Sequence, residues 1–167
     1  MNQFAKDVEA GLSAQPKRLS SKYFYDKIGD QLFVEIMNCD EYYLTNAEFE
    51  IFNKQAQLII DAFGVDNVDF DLIELGAGDG TKTIELLKHL QGKPFTYKPV
   101  DISSSALKGL SERLQNELPN VVVAPLHAEY FAALESLDKQ KRKVILFLGS
   151  NLGNMLDHIA HNFMMQL

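Results

Sequence analysis

The apolar residues in the first part of the chain recur at helical spacing. Phe4, Val8 and Leu12 follow one another at intervals of four residues, which predicts an amphipathic helix over residues 2–13. An aromatic-rich segment over residues 23–36 continues the helical pattern and has the length of a cap. The chain is therefore expected to begin with helices rather than strands.

A third helix is predicted over residues 46–63. Thr45 and Glu48 have the spacing of a capping box, in which two side chains satisfy backbone N–H groups of the first helical turn. The apolar positions Ala47, Ile51, Leu58, Ile59 and Ala62 form one stripe, which indicates a face packed against the rest of the protein. Because no strand is predicted before residue 70, we expect residues 1–68 to form a helical cap.

From residue 70 onward, short apolar runs alternate with helical patterns. The predicted strands cover residues 70–75, 95–101, 121–126 and 143–149, and the predicted helices between them cover residues 81–91, 104–117 and 130–138. This alternation is typical of βαβ units around a parallel sheet. Right-handed crossovers favour the strand order 3-2-1-4, with a ligand crevice where the order reverses. We therefore predict an α/β, Rossmann-like domain over residues 69–167.

The fourth predicted strand has a free edge. A last helix is predicted to begin near Asp157, a candidate N-cap, and the chain ends inside its pattern at Leu167. An uncovered strand edge tends to pair with another chain. We therefore expect the domain to be truncated at its C-terminal end, and the edge is a candidate surface for self-association.

Charge and composition narrow the class of protein. The chain has 46% hydrophobic residues, and its 23 acidic and 16 basic residues give a net charge of -7. Such a surface repels phosphate backbones, so nucleic acid is not an expected partner. Cys39 is the only cysteine, which rules out a disulfide within the chain. No apolar run has the length of a membrane span and no signal peptide is recognised, so a cytoplasmic protein without a membrane partner is predicted.

A glycine-rich stretch, Glu74-Leu75-Gly76-Ala77-Gly78-Asp79-Gly80, leaves the first strand and enters a helix. Glycines at 76 and 78 allow the backbone to approach a ligand closely. A dinucleotide fingerprint would need a third glycine where Thr81 stands, whereas the spacing found here matches the S-adenosylmethionine pattern. We predict a cofactor site that includes Glu74, Gly76 and Gly78. An NAD site and a plain strand-to-helix turn remain alternatives.

Polar residues also follow the neighbouring strands. Asp101 ends the second strand, where its carboxylate can accept hydrogen bonds from ribose hydroxyls or can cap the next helix. Glu129 and Tyr130 follow the third strand and could hold the adenine amino group and ring, or simply begin a solvated helix. Lys82, one turn into the helix after the glycine stretch, could reach the carboxylate of the cofactor or stay in solvent.

The segment after the fourth strand, Phe147-Leu148-Gly149-Ser150-Asn151-Leu152-Gly153-Asn154, lies at the predicted crevice. Its two carboxamides are well placed for a substrate, although asparagine and glycine are also the usual residues of a turn. The four histidines show no spacing typical of a metal site, and no metal is predicted.

Taken in order, these segments resemble the histidine-specific methyltransferases that use S-adenosylmethionine, typified by the histidine Nα-methyltransferase of ergothioneine biosynthesis. The resemblance runs through Lys22-Tyr23-Phe24-Tyr25-Asp26, Glu41 to Glu48, Glu74 to Thr83, Pro99-Val100-Asp101 and Phe147 to Asn154. Nearly the whole chain takes part, and several ordered segments are more specific than one glycine loop.

The resemblance implies roles for five residues. Gly76, Lys82 and Asp101 would contact the cofactor, whereas Tyr42 from the cap and Asn154 after the fourth strand would contact an amino-acid substrate. It also implies that the aromatic N-terminal segment serves as a lid.

The chain departs from the family at two places. Ala128-Glu129-Tyr130 stands where the family tends to carry Gly-Asp-aromatic, and Asn38-Cys39-Asp40 replaces the usual apolar-proline lead into the tyrosines. The family also continues into further strands and a substrate-binding domain that would complete recognition of the substrate.

The function implied by the resemblance is S-adenosylmethionine-dependent N-methylation of the α-amino group of an amino acid, histidine. In-line attack by a neutral amine depends mainly on positioning, so no residue is assigned as catalytic. Two other hypotheses stay open, an NAD-dependent oxidoreductase and a module that binds the cofactor without catalysis. This chain by itself is expected to be inactive.

Overall fold

The computed structural model describes residues 2–149 and 151–167, apart from the side chain of Lys27. The helices are α1 (Gln3–Ser13), α2 (Lys27–Met37), α3 (Leu44–Ala62), α4 (Thr81–Leu90), α5 (Ser104–Glu117), α6 (Tyr130–Ser136) and α7 (Asp157–Gln166). The strands are β1 (Phe70–Leu75), β2 (Phe95–Asp101), β3 (Val122–Val123), β4 (Leu126–His127) and β5 (Arg142–Phe147). Short 3₁₀ turns cover Ser21–Phe24 and Asn151–Asn154.

The strands form one parallel sheet in the order β3-β2-β1-β5, with β4 also pairing with β2. The predicted order 3-2-1-4 and the α/β class with an N-terminal group of helices are confirmed. The third predicted strand, 121–126, is divided into β3 and β4. Pro125 lies between them and has no N–H to donate to the ladder, which accounts for the interruption.

The sheet is covered on both faces. On one face α3, α4 and α5 pack on alternate strand residues such as Phe70 and Leu72. On the other face α6 and α7 cover Ile73 and Leu75. Every residue of β1 is buried, as expected for a central parallel strand with helices on both sides. The carboxyl ends of the strands therefore remain the accessible edge where loops can form a site.

Helix α3 belongs to the core although it precedes the sheet in the chain. Its residues Phe52, Ala56 and Ile60 are buried, and the last two join the cluster around β1. The predicted stripe of Ala47, Ile51, Leu58, Ile59 and Ala62 was therefore largely wrong, because Ile51, Leu58 and Ala62 are exposed and the residues just named form the buried face instead. A division of the chain after residue 68 stays a prediction.

The predicted start of α3 was wrong. The helix begins at Leu44, and Tyr43 occupies the N-cap position without a side-chain capping bond, so Thr45 is not the cap. Glu48 makes no capping bond because its carboxylate contacts Lys82 and the backbone N–H of Gly149 instead. A similar shift occurs at α7, where Leu156 is the N-cap and Asp157 the first helical residue.

Helix α2 is tied to the sheet domain through one carboxylate. The Asp30 Oδ2 accepts hydrogen bonds from the hydroxyls of Ser103, at 2.5 Å, and Ser105, at 2.8 Å. Ser103 is the N-cap of α5 and also accepts from the Ala106 N–H. The helices that precede the sheet are thus fastened to its carboxyl edge.

Two kinds of feature are absent from the described residues. None of their helices combines the length and apolar character that crossing a bilayer requires. None of their histidine, cysteine, aspartate and glutamate side chains form a group of three or more that could hold a metal ion.

Candidate functional site

The loop between β1 and α4 is held by glycines in the left-handed region. Gly76, Gly78 and Gly80 have φ of 78°, 56° and 67°. A Cβ at Gly76 would lie 2.7 Å from the Tyr130 hydroxyl, and one at Gly80 would lie 2.2 Å from a methyl carbon of Leu110. The loop therefore needs glycine for its backbone conformation and for its close approach to neighbours. At Gly78 a Cβ would meet no atom within 4 Å, so the space beside it is open.

Asp101 connects this loop to the end of β2. Its Oδ2 accepts the Gly78 N–H at 2.9 Å, and its Oδ1 accepts the Ser103 N–H at 2.9 Å. The second bond is the helix-capping contact considered as an alternative from sequence. Because each carboxylate oxygen can accept more than one hydrogen bond, Asp101 retains acceptor capacity toward the open side of the loop.

Glu74 lies under the loop, on the side of the sheet that α4 covers. Its side chain is buried and accepts hydrogen bonds from the Thr83 hydroxyl, at 2.6 Å, and from the Tyr97 hydroxyl. Burial raises the pKa of Glu74 to about 7 against an ordinary value of 4.5. Both carboxyl oxygens thus bond to the protein, so Glu74 supports the loop from below.

A cavity of about 920 Å³ lies between the N-terminal helices and the carboxyl ends of the strands. Each residue that the sequence singled out for a site lies at its wall: Tyr42, Glu74, Gly76, Gly78, Lys82, Asp101, Glu129, Tyr130 and Asn154. Ser150 of the polar segment after the fourth strand lies outside the described residues. The sheet topology thus brings together side chains and loops from four strand ends and from the helices over them.

Two of these residues contact charges that the sequence did not suggest. Lys82 forms an ion pair with Glu48 of α3. Glu129 is exposed and pairs with Lys22 at 3.0 Å, while Lys22 also contacts Asp7 at 2.9 Å. Burial alone would lower the pKa of Lys22, but the carboxylates of Asp7 and Glu129 outweigh this effect and raise it. Residues that precede the sheet in the chain therefore reach the start of α4 and the loop after β4.

Tyr130 stands at the base of the cavity. Its ring packs at 5.7 Å from Phe147 and at 5.9 Å from Phe163, and its hydroxyl points toward Gly76. Burial, together with the nearby charge of Asp101, raises the pKa of this phenol above its usual range. Tyr130 therefore remains a neutral hydroxyl that can donate or accept a hydrogen bond.

An aromatic wall faces the strand ends across the cavity. Tyr25, Phe33 and Tyr42 make edge-to-face contacts, with centroid distances of 6.4 Å between the first two rings and 6.2 Å between the last two. Burial, and then the neighbouring Asp101 charge, raise the pKa of Tyr25. Sequence reasoning named only Tyr42 of this wall. The aromatic richness of residues 23–36 was the available signal for the other two.

Comparison with known proteins identifies the family of this chain. A family model described as histidine-specific methyltransferase, SAM-dependent, matches residues 4–167. The histidine N-alpha-methyltransferase of Mycolicibacterium smegmatis is 33% identical over 152 residues, which cover 90% of this chain and 46% of that protein. Ergothioneine biosynthesis protein 1 of Neurospora crassa is 32% identical over 160 residues, covering 89% of this chain and 17% of that protein.

A solved structure supports the fold independently. The magnesium protoporphyrin IX methyltransferase of Synechocystis, crystallised with bound SAM, superposes with a TM-score of 0.57 over 87% of this chain and 67% of that one, at 12% identity. The chain spans about half the length of the curated histidine methyltransferase that it matches. With a family model that matches nearly all of its residues, the chain belongs to the histidine-specific, S-adenosylmethionine-dependent methyltransferases.

Proposed function

We propose that this protein transfers the methyl group of S-adenosylmethionine to the α-amino nitrogen of histidine. One observation carries the proposal. The glycine loop, Asp101, Tyr42 and Asn154, which the sequence separates widely, line a single cavity at the carboxyl edge of the sheet. The family match and the similarity to a histidine N-alpha-methyltransferase supply the reaction and the amino acid.

The residues at the strand ends fit the proposed cofactor. The open space beside Gly78 leaves room for a ligand next to the backbone, and the retained acceptor capacity of Asp101 suits two ribose hydroxyls. Glu129 and Tyr130 would hold the adenine, with Glu129 first released from Lys22. Lys82, in the first turn of α4, would bind the carboxylate of the cofactor. We propose that Glu74 acts indirectly, by holding the glycine loop in place from beneath.

The cofactor supplies a methyl group bound to a sulfonium, which is a strong electrophile. The task left to this chain is to hold an unprotonated amine in line with that group and to exclude water. We propose that Tyr42 and Asn154 position the amine from opposite sides of the cavity, with Tyr25 and Phe33 closing the apolar wall. These are positioning contacts, and no side chain is assigned as a strong base.

Methyl transfer from labelled S-adenosylmethionine to single amino acids tests the proposed function, and it is measured with a longer protein that contains this chain because the chain by itself is expected to be inactive. Transfer to histidine, and its absence with alanine, lysine and tryptophan, is the expected result. Transfer to another amino acid would correct the substrate and keep the reaction class. Cofactor binding without transfer to any amino acid would support the hypothesis of a binding module, and binding of NAD in its place would support the oxidoreductase.

We also propose that the free edge of β5 can pair with a second copy of the chain. Within the described residues β5 pairs with β1 alone, so one row of its backbone N–H and C=O groups lacks a strand partner there. Sedimentation velocity over a range of concentrations is the test. A reversible dimer is expected, and a monomer at all concentrations would contradict the proposal.

A further inference from the structure

Glu48 is a cavity residue whose charge has no role within its own helix. It lies early in α3, yet its carboxylate makes no bond to the first-turn backbone of that helix. One oxygen, Oε1, accepts the Gly149 N–H at 3.1 Å, and the other contacts the Lys82 ammonium. The carboxylate therefore sits between the ends of β1 and β5, where the strand order reverses.

The pair formed by Glu48 and Lys82 is open to the cavity. The two side chains retain 27% and 22% of their exposure, and both lie at the cavity wall. An ion pair with this much exposure contributes little to stability, so a ligand with matching charges can separate the two groups at small cost. Its position next to the glycine loop places it where the amino-acid end of the cofactor would lie if the proposed function holds.

The amino-acid end of S-adenosylmethionine carries an ammonium and a carboxylate on one carbon atom. We infer that Glu48 binds the α-ammonium while Lys82 binds the carboxylate, so that the two side chains recognise this zwitterion together. The Gly149 N–H holds one oxygen of Glu48 in place, and the other oxygen becomes free for the ammonium when Lys82 turns to the carboxylate. This inference rests on the proposed function and adds a residue from α3 to the cofactor site.

Calorimetric titration with two ligands tests the inference. The ligands are S-adenosylhomocysteine and its analogue in which hydrogen replaces the α-amino group. Glu48→Gln should weaken binding of S-adenosylhomocysteine about tenfold or more, the loss expected for a charge-assisted hydrogen bond. The same substitution should leave binding of the deaminated analogue unchanged or tighter, because a negative charge next to its carboxylate is removed.

A matched control variant separates a specific effect of Glu48 from a general effect of losing a charge on α3. Glu50→Gln, on the same helix and paired with Lys54 in solvent, should bind both ligands as the wild type does. Equal losses for both ligands in Glu48→Gln would show that Glu48 only supports the local structure and would overturn the inference. Unchanged affinity for S-adenosylhomocysteine would overturn it as well, while leaving the proposed function intact. A wild type that binds neither ligand would contradict the proposed function itself.

Discussion

At the scale of single residues, the conformation of the glycine loop is the feature on which the site depends most. Gly76 and Gly92 both have positive φ, at 78° and 84°, but they differ in surroundings. A Cβ at Gly76 would lie 2.7 Å from the Tyr130 hydroxyl, whereas one at Gly92 would meet no atom within 4 Å. A comparison of substitutions at these two glycines therefore separates the cost of backbone strain from the cost of a steric clash.

We expect Gly92→Ala to lower the free energy of unfolding by about 1 kcal/mol, the usual cost of a side chain in the left-handed region. Gly76→Ala should lower it by more than this and should also weaken cofactor binding, because Tyr130 and the loop must move apart. Urea unfolding and calorimetric titration of both variants measure the two effects. If both variants lose the same free energy of unfolding and Gly76→Ala still binds the cofactor, the clash with Tyr130 is absent.

The buried carboxyl of Glu74 makes stability depend on pH. Its pKa of about 7 in the folded protein lies above the ordinary 4.5, so the folded state keeps a proton that the unfolded state releases. The stabilising contribution is complete below pH 4.5 and is lost as pH rises through about 7. The loss amounts to at most about 3 kcal/mol.

We expect Glu74→Gln to remove this fall in the free energy of unfolding between pH 4.5 and 7. Urea titrations at several pH values measure the slope in the wild type and the variant. Glu9→Gln, at an exposed position of α1, should keep the wild-type slope. A slope that survives in Glu74→Gln would assign the pH dependence to another group.

At the scale of elements, α2 is joined to the carboxyl edge of the sheet mainly through Asp30. The bonds from the hydroxyls of Ser103 and Ser105 cross from the N-terminal helices to the first turn of α5. Much of the outward face of α2 is apolar and exposed, including Ile28 and Leu32. The helix thus has few other polar ties to the domain below it among the described residues.

We expect Asp30→Ala to increase hydrogen exchange in α2 while exchange in β1 and β2 stays unchanged, because local opening of a weakly attached helix need not open the core. Glu35→Ala, on the exposed side of α2, is the matched control and should leave the exchange pattern as in the wild type. Increased exchange throughout the sheet would mean that Asp30 supports the whole fold.

The elements differ in how far the sequence could predict them. β1 and β2 match their predicted bounds because short segments whose apolar residues are buried, such as Leu72 and Ile73 in β1 and Tyr97 and Val100 in β2, specify them locally. The start of α3 was missed because the contacts of Glu48 lie 34 and 101 residues away in the chain. Local spacing alone cannot distinguish a capping glutamate from one that is used in tertiary contacts.

In the candidate site, too, local sequence patterns predict some residues, whereas tertiary contacts determine the position of others. The position of Gly76, Gly78 and Asp101 at the cavity was predictable, since a glycine loop and a carboxylate at strand ends follow from the sheet topology. The pairing of Glu129 with Lys22 spans 107 residues and left no local pattern. Tyr25 and Phe33 were hidden within an aromatic segment whose orientation depends on how α2 packs over the cavity.

At the scale of the whole molecule, the cavity shares the acidic character of the chain. Seven carboxylic acids line it, against three basic side chains: Asp7, Asp30, Glu48, Glu74, Asp79, Asp101 and Glu129 against Arg18, Lys22 and Lys82. Such a field attracts a cationic ligand and repels a phosphate-bearing one. It favours a sulfonium cofactor over a dinucleotide, in agreement with the family match.

We expect added salt to weaken binding of S-adenosylmethionine more than binding of S-adenosylhomocysteine. The sulfonium gives the first ligand one more positive charge, and salt screens its attraction to the carboxylates. Titrations of both ligands at low and high ionic strength measure the ratio of the two affinities. A ratio that does not change with salt would show that the acidic wall contributes no attraction.

A direct titration with S-adenosylhomocysteine tests whether the strand ends form an S-adenosylmethionine site with Asp101 at its centre. The wild type should bind S-adenosylhomocysteine, and Asp101→Ala should weaken binding about hundredfold or more, as expected when bonds from two hydroxyls to a carboxylate are lost. Asp40→Ala, at an exposed carboxylate before α3, should bind as the wild type does. Thermal unfolding of each variant controls for a loss of fold. Wild-type affinity in folded Asp101→Ala, or no binding by the wild type, would contradict the account.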